Sequence, residues 1–274
     1  MLQRLITGVI LAVGVIALFW WGPSEGVKAF LALFCFVGLT EYSAMGAKIY
    51  KGENGNSFFE RLTLPVLGTG TFIAWVLSPE HTLLVLGLAF VLLGVMQTLL
   101  TQELKATVEK TAWNMLGLLY VAGLFACASA IVGESEQQST SRALFIAFIA
   151  AVSAGDTLAY FAGRAFGKHP LSPKLSPKKT IEGAIGGLAG SAGGAVLVVY
   201  GLSMNLGPIH VLLVAAIVGG ATAQVGDLFE SLLKRTAGIK DSGRILPGHG
   251  GVLDRVDGIL FGAPVFLAYQ TFIL

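Results

Sequence analysis

Residues 82–100 read TLLVLGLAFVLLGVMQTLL, nineteen positions without a single charged side chain. A hydrocarbon core needs roughly 20 apolar residues per crossing helix, so this run is read as a membrane span. Similar runs lie on both sides of it. Spans are expected near 5–21, 27–46, 62–77, 112–132, 143–163, 183–203, 208–225 and 259–274, making nine with 82–100. Pro65 and several glycines make the third run a candidate for a kink, and the short last run is expected to begin earlier in the chain. The first run ends in Phe19-Trp20-Trp21-Gly22-Pro23, an aromatic belt and helix stop without a small-x-small cleavage site. It is therefore read as a retained span.

The composition agrees. Of 274 residues 54% are hydrophobic and 12% charged, about half the charge of an ordinary globular chain. A soluble domain and a disordered protein are excluded on that ground. The net charge of +2, from 18 basic and 16 acidic residues, gives no reason to expect a nucleic-acid partner. The 36 glycines suit helices that approach closely in lipid. Cys35 and Cys127 both sit in apolar runs and read as small buried hydrophobes.

The connecting loops alternate in charge. Lys48, Lys51 and Arg61 follow the second run, and Lys105 and Lys110 the fourth. Arg164, Lys168, Lys174, Lys178 and Lys179 follow the sixth, and Lys234, Arg235, Lys240, Arg244 and Arg255 the eighth. The intervening loops, 78–81, 133–141 and 203–208, are poor in Lys and Arg. The positive-inside rule then puts the even-numbered loops in the cytoplasm, with the N-terminus inside and the C-terminus outside. The expected architecture is an all-α polytopic bundle forming one membrane domain. Residues 1–140 supply N-terminal helices, and 141–274 form a catalytic region with cytoplasmic motifs.

Chemistry concentrates in 224–258, QVGDLFESLLKRTAGIKDSGRILPGHGGVLDRVDG, with four aspartates and five basic residues in a chain that otherwise avoids charge. Asp227, Ser231 and Lys234 fall at i, i+4 and i+7, one face of a continuing helix. Asp254 and Asp257 are neighbours at i and i+3. Carboxylates suit a hard cation such as Mg²⁺, which keeps several waters and shares substrate phosphates. Glycines 248, 250 and 251 permit turns whose amides face an anion. A solvated juxtamembrane loop explains the basic residues but not aspartates at the edge of a bilayer, where ionisable groups are costly. Glu41, late in the second run, is assigned a bundle-facing hydrogen bond.

The pattern Ser231-x-x-Lys234-Arg235, Lys240-Asp241-x-Gly243, Leu246-Pro247-Gly248-His249-Gly250-Gly251 and Leu253-Asp254-Arg255-x-Asp257 closely resembles the signature of the phosphatidate cytidylyltransferases. Asp156-Thr157-Leu158-Ala159-Tyr160-Phe161 and Ser176-Pro177-Lys178-Lys179-Thr180-x-Glu182-Gly183 look like the same family's other cytoplasmic region. The strong match covers 150–258. Two positions depart from it: Leu158 stands where the family usually has Gly, and Gly258 where Ser is common. The resemblance implies CTP and phosphatidate as substrates, CDP-diacylglycerol and pyrophosphate as products, and Mg²⁺, with a second cation allowed. Asp227 and Asp254 become first-choice metal ligands, and Asp257 a third ligand or outer partner. Asp227, Asp254, Asp257 and Lys234 are the expected catalytic set. Substrate contacts are expected from Asp156, Ser176, Lys178, Lys179, Thr180, Ser231, Arg235, Lys240, Asp241 and Arg255. His249 is open between phosphate donor, pyrophosphate contact and turn residue. The expected partners are CTP, phosphatidate and membrane lipids in the inner membrane, and close helix packing suggests a homodimer.

The sequence also admits three rival functions. One is a CTP-dependent transferase acting on another lipid, and the second a CDP-alcohol phosphotransferase. The latter lacks support because Asp257-Gly258 is followed by Ile259-Leu260-Phe261-Gly262, without the Arg and later acids that family needs. The third is a transporter, disfavoured because the charges gather near span ends rather than the bilayer midplane.

Overall fold

Helices formed by the apolar runs dominate a computed structural model of the chain, which describes residues 14, 17–50, 58–100, 103–132, 138–245 and 250–274. In chain order they are α1 (Ser24–Ile49), α2 (Phe58–Leu77), α3 (Thr82–Leu100), α4 (Leu104–Gly117), α5 (Leu124–Ile131), α6 (Gln138–Phe166), α7 (Ile181–Leu202), α8 (Ile209–Thr236) and α9 (Leu253–Ile273). A 3₁₀ turn, Pro79–His81, leads into α3, and a π-helical stretch, Leu118–Gly123, joins α4 to α5. Strands β1 (Pro170–Ser172) and β2 (Ser176–Thr180) form an antiparallel hairpin between α6 and α7.

Seven of these segments are long and apolar enough to cross a membrane: Ser24–Ile49, Pro79–Leu100, Leu104–Ile131, Ser139–Phe166, Ile181–Leu202, Ile209–Thr236 and Leu253–Ile273. They make this an all-α integral membrane protein. The expected third run lies within α2, which contains Pro65 and carries Glu60 in its first turn. Most of the expected span 5–21 lies outside the described residues. Several helices outrun their apolar stretches. The α8 helix continues eleven residues past 225, and α9 starts six residues before 259. Polar residues continue a helix wherever partners satisfy them, which hydropathy cannot register.

The chain divides into two compact units that interleave in sequence. One comprises residues 1–27, 127–232 and 255–274; the other comprises 28–126 and 233–254. In the first, α6 and α7 lie backbone against backbone. A Cβ placed on Gly190 or Gly194 would stand 2.5 or 2.4 Å from the carbonyl oxygens of Ala154 and Ala150. Small residues thus replace side-chain interdigitation, as lipid-embedded helices favour. Phe145 stacks on Phe19 at 4.4 Å, and Phe148 lies against Phe266 at 4.8 Å. Arg142 donates to the carbonyls of Trp20 and Gly22, both at 2.7 Å, tying residues 20–22 to α6.

In the second unit Tyr42 stacks on Trp113 at 4.6 Å and donates to its carbonyl at 3.1 Å. Glu60 and Lys110 pair at 3.0 Å in largely buried positions. Helix α3 buries Ala89, Leu93 and Gln97, one stripe at four-residue spacing. It exposes Leu83, Leu88, Val91, Val95 and Leu99, the face such a helix presents to lipid. Cys35 is buried, Cys127 half-buried, and both are free thiols.

Candidate functional site

In the first unit the hairpin decides where the lysines point. Pro170 pairs with Thr180 and Ser172 with Ser176, so Lys178 and Lys179 are consecutive in a strand and leave its opposite faces. Lys179 forms an ion pair with Asp227 of α8, whereas Lys178 is exposed. The two lysines, both expected as substrate contacts, therefore leave the strand in opposite directions. Ser176 starts β2, half-buried. Thr180 is the N-cap of α7, its hydroxyl accepting from the amide of Gly183 at 3.1 Å. Two residues on, Glu182 accepts from the amides of Lys168 and His169 at 3.0 and 3.2 Å and meets His169 Nδ1 at 2.6 Å. These contacts tie the base of the hairpin to the first turn of α7.

Asp156 of α6 lies within electrostatic reach of both Asp227 and Lys179. Two carboxylates here share one ammonium, a set of oxygen donors that suits a further cation. Gln224, one turn before Asp227, donates to the carbonyl of Ala184 at 3.1 Å and fixes α8 against α7. A Cβ on Gly226 would stand 2.6 Å from the carbonyl oxygen of Asp257 and 2.8 Å from Phe261 Cβ. Helices α8 and α9 therefore touch beside Asp227, at the level of Asp257. Asp257 is half-buried, and its Oδ1 accepts from the amide of Gly258 at 2.8 Å.

Among the described residues no three His, Cys, Asp or Glu side chains gather closely enough to form a metal cage. Mg²⁺ does not need one, since it is commonly held by one or two carboxylates together with waters and substrate phosphates. Asp156 and Asp227 are carboxylates of the kind such an ion takes. Lys179 balances part of their charge.

The second unit holds a different arrangement. Lys234 Nζ lies 2.6 Å from Asp254 Oδ1, their side chains only 12% and 10% exposed. Asp254 Oδ2 also accepts from the amides of Ser242 and Gly251, both at 2.9 Å. An aspartate expected on a cation is here engaged by three protein donors. Helix α8 ends just beyond Lys234. The amide of Gly238 reaches Arg235 O at 3.0 Å, and that of Ile239 reaches Lys234 O at 2.9 Å. Gly238 has φ +68, the left-handed turn that this termination requires. Arg235 donates to Ile239 O at 3.1 Å. Lys240 and Asp241 are exposed, Ser231 is half-buried on α8, and Arg255 of the first unit is exposed. His249 lies outside the described residues.

Glu41 is the residue whose reach the sequence conceals. Only 4% exposed, it accepts from Val252 N at 3.0 Å, Leu253 N at 2.9 Å and Ser242 Oγ at 3.1 Å. The lone acid in an apolar run was a signal that it is bonded, but no local pattern names these partners.

A family model described as the cytidylyltransferase family matches residues 2–273. The phosphatidate cytidylyltransferase of Brucella abortus is 41% identical over 160 residues, which is 57% of this chain and 56% of that protein. That of Staphylococcus haemolyticus is 51% identical over 110 residues, 40% of this chain and 42% of its own length. That of Thermotoga maritima is 45% identical over 120 residues, again 40% and 42%. The similarity spans about half the length of these curated relatives.

Proposed function

Because this chain belongs to the cytidylyltransferase family, we propose that it transfers the cytidylyl group of CTP to phosphatidate, releasing pyrophosphate. The observation that carries the reading is the trio of Asp156, Lys179 and Asp227, charged groups in a lipid-embedded protein. The names of its relatives supply the substrates.

In the proposed reaction a phosphate oxygen of phosphatidate attacks the α-phosphorus of CTP. A new P–O bond forms as the bond between that phosphorus and the bridging oxygen breaks, and the pyrophosphate takes the electron pair. A phosphate monoester is anionic near neutral pH, so no strong general base is required. The obstacle is bringing two polyanions together, which is a matter of positioning and electrostatics.

Asp227 and Asp156 are the residues proposed to hold Mg²⁺, with Asp257 as an additional or outer partner. When bound, the ion would neutralise phosphate oxygens and the departing pyrophosphate. Lys179 limits repulsion between the two aspartates and orients Asp227. Exposed Lys178 and Arg255 are proposed as phosphate contacts of the first unit, and exposed Arg235 and Lys240 as those of the second. Asp254, with its three donors, serves to shape its segment rather than to take a cation first. The basic loops support placing the chemistry on the cytoplasmic side of the inner membrane.

The test is purified protein with labelled CTP, Mg²⁺ and phosphatidate, the product lipid resolved by chromatography. Labelled CDP-diacylglycerol with stoichiometric pyrophosphate is expected, and chelation of the metal should stop it. Turnover only with a polyprenyl or ether-lipid phosphate would overturn the choice of acceptor.

A further inference from the structure

Glu41 belongs to α1, outside the stretch that carries the family signature, yet it holds part of that signature in shape. A buried carboxylate in a membrane helix is expensive unless donors surround it. Here all three come from one region of the chain. The amides of Val252 and Leu253 lie at the start of α9 and are among those a helix leaves unsatisfied. The Ser242 hydroxyl lies at the opposite end of the same segment.

Asp254 completes the closure by accepting from the amides of Ser242 and Gly251. Ser242 Oγ in turn accepts from the Asp254 amide at 3.3 Å. Two carboxylates therefore staple residue 242 to residues 251–254. The fit leaves no spare room. A Cβ on Gly243 would stand 2.1 Å from Glu41 Oε1, with Cδ and Cγ of Glu41 at 2.7 and 3.1 Å. One on Gly251 would meet Ser242 Oγ at 2.1 Å and Glu41 Oε2 at 2.6 Å.

We infer that Glu41 is a positioning residue for nucleotidyl transfer, acting through Ser242, Val252 and Leu253 on Lys240, Asp241 and the Lys234–Asp254 pair. The inference rests on the function proposed above. It predicts a division of effects. Basic side chains still attract a triphosphate when displaced by an ångström, whereas the transfer step does not tolerate the displacement.

The first test is Glu41→Gln, which keeps the shape but turns an acceptor into an NH₂ facing backbone amides. Its kcat should fall about tenfold or more while KM for CTP moves less than about threefold. Glu41→Asp, which keeps the charge, should recover part of the loss. Amide exchange at Val252 or Leu253 should accelerate about tenfold or more in Glu41→Gln, because one of these two amides then faces an NH₂ instead of an acceptor. This readout needs no turnover. If wild type makes no CDP-lipid, the functional reading fails, and exchange still judges the staple.

Gly243→Ala gives a second route that does not depend on Glu41→Gln folding. The three atoms nearest the added methyl all belong to Glu41. It should cost about tenfold in kcat alone, but under about twofold further in a Glu41→Ala background. Multiplicative effects of the two substitutions, or unchanged exchange with kcat within about twofold of wild type in Glu41→Gln, would overturn the inference.

Discussion

Removing the Asp254 charge tests the structure at a largely enclosed ion pair. Lys234 and Asp254 meet at 2.6 Å with side chains 12% and 10% exposed. At an effective dielectric of about 20 the Coulomb attraction at that distance is about 6 kcal/mol. Desolvation of both ions takes back much of it. The loss on breaking such a pair from one side is about 3–5 kcal/mol, because a buried charge is left uncompensated.

Asp254→Asn does more than remove the charge. Its amide can present one oxygen, but three donors converge on this carboxylate: Lys234 Nζ and the amides of Ser242 and Gly251. Whichever way the amide turns, its NH₂ faces a donor. Lys234→Met is milder, since Asp254 keeps its two backbone amides. Asp254→Asn should therefore destabilise by about 3–5 kcal/mol, and Lys234→Met by about 2 kcal/mol less than that. The double variant should cost less than the sum by more than about 1 kcal/mol. Unfolding free energies measured by denaturant titration in mixed micelles decide the matter. Equal losses in the two single variants, or strict additivity in the double, would refute the reasoning.

The other predictions concern the first unit. Asp227→Asn should lower kcat about a hundredfold or more while the protein still inserts and purifies; initial rates against CTP would show it. Lys179→Ala should likewise act mainly on kcat, because it removes the partner of Asp227, whereas exposed Lys178→Ala should act mainly on KM for CTP. Thr180→Val, which deletes the cap on α7, should cost about 1 kcal/mol, and Thr180→Ser should retain most of it. Gly194→Val should destabilise more than either Thr180 variant, since its Cβ begins 2.4 Å from a carbonyl oxygen that cannot move without its helix. Thermal unfolding in detergent ranks these three.

Seven of the nine expected spans were legible in the linear chain, because crossing a bilayer is a local demand. Some twenty consecutive residues must be apolar whatever their neighbours do, and 82–100 meets that condition alone. The charged residues proposed for the site stand out along the chain too, since charge in a run of apolar residues is conspicuous. Helix ends were less so: α8 runs past its apolar stretch because Asp227 and Lys234 find partners, a fact held elsewhere in the chain. Folding back of 170–180 into a hairpin, which parts Lys178 from Lys179, was equally hidden.

Only the tertiary structure assigned partners. Asp254 and Asp227 look alike in sequence, both acids beside basic residues near a span end. One is engaged by three donors and only 10% exposed, whereas the other is 39% exposed. Glu41 reaches residues 201 to 212 positions away. Hydrophobicity and helical period act over a few residues and can be read along the chain. A hydrogen bond across such a separation depends on how helices meet, so its partners become visible only once the chain has folded.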